Sequence, residues 1–396
     1  MGSRIIVASH MPPPLKQQGR LRPVVIQAGG IGDMVMVTPL MACLHERYGK
    51  APYLACSHAG VPEALFEGEH PHLGGLVRMG GWKKHYWLTP RQWKFVDYLR
   101  HGDAGPIYVC DARREKVAEL LERGGVAPER CLYSADFPED AALNRYVRYV
   151  ALGRRTPSAY RGALIPEGSS GTTCYSPTVH VRLRDREDLD DWLRGRGLVA
   201  EKLILLRPCT RSPPTDGKSW PAANWTELCR RVQAHTPGMR LLLTGSPGEA
   251  DLVAALRAQL AVEVETAAED LPLRRLFALQ ERAFAMISLD TGPSHTAAAL
   301  GCPVMIFYAR AHPWEYRPPE CVPSGAAPGA QPSPVIALKA REESQQAADI
   351  SVEQAFDGWK RLVAAIVERQ LGRGESQAGP LASRLAAVRV DIDLPA

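Results

Sequence analysis

The run Ile287-Ser-Leu-Asp-Thr-Gly-Pro-Ser-His-Thr-Ala-Ala-Ala-Leu-Gly-Cys-Pro-Val-Met-Ile-Phe307 decides the fold. It reads as a buried strand, a tight polar turn, a short helix of small residues, a glycine stop and a second buried strand. Asp290, Thr291, Gly292, Ser294 and His295 all fall in the turn between strand and helix. In an open α/β sheet the carboxyl ends of the strands are where ligands bind. The first amides of a helix are unpaired there and favour an anionic group. So many polar side chains beside one helix N-terminus predict a site for a phosphorylated ligand.

Outward from this run, strand signals alternate with helical ones in both halves of the chain, which predicts parallel sheets covered by helices. In the first half Val24-Val-Ile26 is a short strand running into Gly29-Gly-Ile-Gly32-Asp33, with a helix from Met34 to about Tyr48. Tyr53-Leu-Ala-Cys56 and Ile107-Tyr-Val-Cys110 are further strands. In the second half the strands are Lys202–Leu206, Arg240–Thr244 and the two flanking the polar turn. Trp220-Pro221 precedes a helix in which Asn224 and Glu227 have capping-box spacing and Trp225, Leu228 and Val232 share a face. A last amphipathic helix starts near Ser351 and carries Phe356, Trp359 and Ile366.

The expected division is a leader at 1–22, an N-terminal domain at 23–200, a C-terminal domain at 201–350, a helix at 351–370 and a tail at 371–396. A length of 396 residues suits two cores rather than one. The apolar fraction of 45% and charged fraction of 23% are those of a globular protein. With 48 basic against 43 acidic residues the net charge is only +5, and no basic stripe interleaved with aromatics points to nucleic acid. No apolar run reaches the roughly 20 residues that span a bilayer. The nine cysteines are scattered without a C-x-x-C pair, so no metal site is expected and a reducing compartment is. The segment 80–100 gathers Trp82, Trp87 and Trp93 among Lys83, Lys84, His85 and Arg91, and reads first as an insertion packing its aromatics.

Three further constellations carry chemistry. The glycines of Gly29-Gly30-x-Gly32-Asp33 let backbone approach a ligand, and Asp33 stands where a helix N-cap would, so capping is its plainest role. The spacing is not G-x-G-x-x-G, which disfavours a dinucleotide dehydrogenase. Lys218-Ser-Trp220-Pro221 places a lysine where it can meet a phosphate, or simply solvent. Glu249 follows a glycine turn at a strand end, where it can accept hydrogen bonds from ribose or favour the helix dipole. Each is weak alone, but all occupy carboxyl ends of successive strands.

In order and spacing, Gly30 to Leu40, Lys218 to Pro221, Gly245 to Glu249 and Asp290 to Pro303 resemble glycosyltransferase family 9, the ADP-heptose:lipopolysaccharide heptosyltransferases. The resemblance implies an α/β chain of GT-B fold, two Rossmann-like doubly wound domains facing across a cleft, with the last helix crossing back to the first domain. It implies an inverting, metal-independent reaction with Asp33 as general base. Lys218 matches the lysine at the donor diphosphate, Glu249 the residue near the nucleoside, and Asp290 the carboxylate on sugar hydroxyls. Thr291, Gly292 and His295 match the phosphate-binding turn, and Thr210 and Arg211 a loop that touches phosphate. Gly29, Gly30 and Gly32 form the glycine loop.

The donor so implied is a nucleotide sugar, ADP-heptose first, without a further cofactor. The acceptor is a glycan or lipid-linked glycan of lipopolysaccharide type, made in the cytoplasm and compatible with peripheral contact at the inner membrane face. Gln27 stands where the family has Lys or Arg, and Gly29-Gly30 where serines are common, so the acceptor can differ. Lys83, Lys84, Arg113 and Arg114 are candidates to hold an anionic acceptor. The alternatives are the same fold with another nucleotide sugar or a protein or small-molecule acceptor, and a catalytically silent binder of nucleotide sugars.

Overall fold

The computed structural model describes residues 22–57, 60–66, 70–80, 89–161, 176–210, 217–322 and 331–371. The expected leader, apart from Arg22, the expected tail beyond Leu371, and Trp82, Lys83, Lys84 and Trp87 lie outside them. The chain forms two compact units that divide between Tyr175 and Ser176, with residues 64–66 grouping with the second.

In the first unit β1 (Arg22–Ile26) leads to α1 (Ile31–Met36) and α2 (Thr38–Tyr48), then β2 (Tyr53–Cys56) and β3 (Gly75–Arg78). After these come α3 (Pro90–His101), β4 (Ala104–Val109), α4 (Arg114–Arg123), β5 (Cys131–Tyr133) and α5 (Arg145–Gly153). The strands are parallel in the order β3-β2-β1-β4-β5. Val24, Val25 and Ile26 are each 0% exposed, as an apolar run covered on both faces requires. The single helix expected from Met34 is two, because Pro39 in the first turn of α2 brings no N–H and the chain steps at Val37. Thr38 Oγ1 donates to Val35 O at 2.8 Å across that step.

The second unit contains α6 (Leu183–Arg196), β6 (Leu203–Arg207), α7 (Ala222–His235), β7 (Arg240–Thr244), α8 (Ala250–Gln259) and β8 (Glu265–Ala267). It continues with α9 (Leu273–Arg282), β9 (Ala285–Leu289), α10 (Gly292–Ala299), β10 (Val304–Tyr308), α11 (Pro313–Tyr316), β11 (Val335–Lys339) and α12 (Val352–Leu371). Its sheet is parallel in the order β11-β10-β9-β6-β7-β8. The first strand, β6, lies in the middle and the chain reverses direction of growth between β6 and β9. That is the switch point of a Rossmann sheet, and β1 and β4 make the same switch in the first unit.

Two expectations change here. The domain boundary expected near residue 200 falls instead at 175/176, because α6 belongs with the second unit. Arg186 binds Glu281 of α9 at 2.7 and 2.8 Å, and Arg275 of α9 binds Asp188 at 2.8 Å through both carboxylate oxygens. Arg274 pairs with Asp185, and Arg282 with Asp190 and Glu201. The capping box expected from Asn224 and Glu227 does not form, since α7 starts earlier with Pro221 as its N-cap and Glu227 pairs with Arg230 and Arg231. The predicted face of α7 is buried: Trp225, Leu228 and Val232 are at most 1% exposed. Trp225 stacks on Phe307 at 5.8 Å and meets Trp220 edge-on at 5.1 Å. The last helix packs Trp359, Leu362, Val363 and Ile366 into this same core.

Candidate functional site

The turn singled out in the sequence lies at the switch point of the second sheet. Thr291 is the N-cap of α10, extended at φ −143°, with Pro293 in the first turn. Thr296, Ala297, Ala298 and Ala299 are small enough for the helix to lie flat on the sheet, and all are buried. Gly301, at φ +75°, takes the left-handed conformation that ends it. Asp290 is therefore held at the end of β9, and its N–H donates to Phe307 O at 3.0 Å. Lys218 Nζ stands 3.7 Å from Asp290 Oδ2, and His295 Nε2 3.9 Å from Asp290 Oδ1. The Lys218 side chain is 30% exposed, Asp290 13% and His295 4%. The three bring an ammonium, a carboxylate and an imidazole together, partly exposed, beside the positive end of a helix.

Lys218 is fixed from both sides. Gly217, at φ +77°, accepts a hydrogen bond from Ala347 N–H at 2.7 Å, and a Cβ there would meet the Gln346 amide at 2.7 to 2.8 Å. Two residues on, Trp220 is 4% exposed and its Nε1–H donates to Ile350 O at 2.9 Å. The backbone on either side of the lysine is therefore anchored to the core.

Glu249 is at the carboxyl end of β7 and is buried. Arg207 Nη2 donates to its two oxygens at 2.9 and 2.7 Å, and Ser246 donates from N–H at 2.8 Å and Oγ at 2.6 Å. Burial pushes the Glu249 pKa up, but the Arg207 charge and the Ser246 bonds outweigh it, so the carboxyl titrates below its ordinary value. Thr210 ends the described part of its loop, and Arg211 lies outside the described residues.

Two anchors escaped the sequence reading. Gln280, 0% exposed on α9, donates to Pro293 O at 2.9 Å and accepts from Thr296 Oγ1 at 2.8 Å. It thereby pins the first turn of α10. Arg207 is the other. Both look like ordinary polar residues in sequence, and only their burial marks them.

In the first unit Gly30, not Asp33, is the N-cap of α1. Asp33 sits at the third helical position, and its Oδ2 accepts the Gly30 N–H at 2.9 Å. Gly29 makes the seat: a Cβ there would lie 2.3 Å from Asp33 Oδ2 and 2.5 Å from Cγ. Gln27 steadies the loop, its Oε1 accepting Gly29 N–H at 2.9 Å and its Nε2 donating to Cys110 O at 3.2 Å. Asp111 and Arg113 clamp the backbone of Ala28 from both sides: Ala28 N–H donates to Asp111 Oδ2 at 2.7 Å, and Arg113 Nη2 to Ala28 O at 2.8 Å. Burial raises the Asp111 pKa, yet the bonds from Arg113 and Ala28 prevail and lower it. Arg113 is thus committed to the loop itself, and Arg114 pairs with Asp136 at 2.6 Å. Gly32 is buried within α1. Among the described residues no group of three or more His, Cys, Asp or Glu is placed to hold a metal ion.

Known proteins resemble this chain in sequence over part of its length and in fold. Residues 173–323 match the model of glycosyltransferase family 9 (heptosyltransferase). No curated protein matches the chain. Among solved structures, a glycosyl transferase family 9 protein from Veillonella parvula aligns with TM-score 0.66 at 16% identity, over 88% of this chain and 98% of that one. The E. coli ADP-heptose LPS heptosyltransferase II aligns with TM-score 0.60 at 19% identity, over 88% and 100%. E. coli heptosyltransferase WaaC with ADP aligns with TM-score 0.59 at 16% identity, over 86% and 100%. The fold is that of these GT-B enzymes, two parallel α/β sheets in sequence. Residues 173–323 are thus similar in sequence to glycosyltransferase family 9 (heptosyltransferase).

Proposed function

We propose that this chain transfers a sugar, heptose from ADP-heptose in the first instance, to a hydroxyl of a lipopolysaccharide-type glycan, with inversion and without a metal. The observation that carries this reading is the Lys218–Asp290–His295 grouping beside the α10 N-terminus. Lys218 and the helix end stabilise the diphosphate as it leaves, which is where negative charge develops. Asp290 accepts from sugar hydroxyls, and the first turn of α10, with Thr291, Gly292 and His295, binds phosphate. Glu249 keeps its place by the nucleoside, with Arg207 holding the carboxylate ionised and still. Thr210 follows β6, in the loop that would touch phosphate.

In the first unit, Asp33 takes the proton from the acceptor hydroxyl as that oxygen attacks the anomeric carbon. Its hydrogen bond to Gly30 N–H supports the role, because it fixes the carboxylate while leaving a second oxygen for the acceptor. The reaction would take place in the cytoplasm, on a glycan assembled at the inner membrane face. Among the described residues no helix is long and apolar enough to cross a membrane.

The test is a thermal-shift panel with ADP, UDP, GDP, CMP and NAD. A nucleotide at 100 times its Kd stabilises by about 2.7 kcal/mol. Selective stabilisation by ADP, followed by transfer from ADP-heptose, is the expected result. Preference for UDP or GDP would move the donor while keeping the reaction class, and a flat response would refute the donor site.

A further inference from the structure

Tyr308 is the last residue of β10 and is 0% exposed. Its hydroxyl has no hydrogen-bond partner among the described residues. A buried hydroxyl left unpaired is costly and calls for an explanation, of which a ligand group that pairs with it is one. Register and alternation show where it lies. In the parallel pair β9 and β10, Phe307 stands opposite Leu289, and both side chains belong to the core on one face of the sheet. The Asp290 N–H to Phe307 O bond, 3.0 Å, carries the pairing one residue further. Successive side chains of a strand point to opposite faces. The next pair, Asp290 and Tyr308, therefore project side by side from the other face, the face opposite the Trp220–Trp225–Phe307 core. Their proximity is also felt electrically: after burial, the negative charge of Asp290 is what most opposes ionisation of the phenol. Tyr308 is thus a neutral O–H donor beside a carboxylate acceptor.

We propose that Asp290 and Tyr308 together read a hydroxyl of the transferred sugar. The sugar O–H donates to the Asp290 carboxylate and its oxygen accepts from the Tyr308 hydroxyl. The proposal rests on the nucleotide-sugar reading above and adds a specificity determinant to it. A site built to pair with a substrate hydroxyl discriminates strongly against a ligand that lacks one. The free nucleotide, which ends at its phosphate, makes no use of this pair.

The experiment is calorimetric titration of wild type and Tyr308→Phe with ADP and with ADP-heptose, UDP-glucose and GDP-mannose, plus a melt of each protein. Removing only an unpaired oxygen, the variant is expected to melt no lower than wild type and to bind ADP unchanged. It is expected to bind the nucleotide sugar that wild type prefers roughly tenfold more weakly. Equal affinity of variant and wild type for that nucleotide sugar overturns the proposal alone. Equal weakening for ADP together with a lower melting temperature also overturns it, by assigning the ring a packing role. A wild type that binds none of the three nucleotide sugars overturns the donor reading and this proposal with it.

Discussion

Arg207 and Glu249 form a buried two-pronged ion pair, with one guanidinium nitrogen 2.9 and 2.7 Å from the two carboxylate oxygens and both side chains under a tenth exposed. Breaking such a pair from one side strands a charge in the interior and costs about 3 to 5 kcal/mol. Arg207→Met should lower unfolding free energy in urea by that amount. Arg207→Met with Glu249→Gln should recover much of it. Additive losses in the double variant would show that the two groups act independently.

The same pair sets an acid limit. The folded pKa of Glu249 is below its ordinary value of 4.5, so the stability it contributes is complete above that value. It is lost as pH falls toward the folded pKa, and Asp111 adds a loss of the same sign. Melting temperature should therefore be level from pH 7 to about 5 and fall below the ordinary carboxylate range. Glu249→Gln should flatten part of that fall. An unchanged acid slope in this variant would count against the assignment.

Asp33→Asn keeps the shape of the side chain and removes the carboxylate proposed as the base. Turnover should drop by about 10² to 10⁴-fold, while ADP binding, measured by the same thermal shift, stays as in wild type. Near-normal turnover would exclude Asp33 as general base.

Gly29 gives an independent check on the same carboxylate. Gly29→Ala puts a methyl where Asp33 Oδ2 and Cγ now lie, at 2.3 and 2.5 Å, so the carboxylate must move. The variant should lose turnover by at least tenfold, since misplacing a catalytic group by about 1 Å can cost as much as 100-fold. Its donor KM should hold.

None of the eight cysteines among the described residues is in a disulfide, and all are buried. Burial pushes Cys209 up to about 11 and Cys229 and Cys302 up to about 12. Since the thiolate is the reactive form, native protein at pH 8 should react with a disulfide reagent only slowly at these positions. Addition of denaturant should release them, and rapid native labelling of Cys229 or Cys302 would contradict the packing.

Much of this was written in the chain. The run from Ile287 to Phe307 forms the strand, turn, helix and strand that its residues dictate, because apolar runs, a proline start and a glycine stop are all local signals. The short strands Gly75–Arg78, Cys131–Tyr133, Glu265–Ala267 and Val335–Lys339 escaped notice, being three to five residues long and partly exposed, which leaves no period to read. Arg207, Gln280 and Asp111 escaped for another reason. Each is one polar residue whose meaning lies in a partner brought up by the fold: Glu249 for Arg207, Pro293 and Thr296 for Gln280, Ala28 for Asp111. Composition likewise said nothing about which core the charged α6 would join.

The arginine–carboxylate bracket that ties α6 to α9 gives this part of the molecule its own response to its surroundings. Most of its partners are partly exposed, as Arg186 at 41% and Asp188 at 49% show. At about 1 M salt the screening length shortens to about 3 Å, comparable with these contacts, so exposed pairs of this kind weaken. Apolar strands in the sheet are held by water exclusion, which excluded salts such as sulfate strengthen. Concentrated salt should therefore loosen the α6–α9 seam while tightening the sheet beneath it, so that one solution variable separates two layers of a single fold.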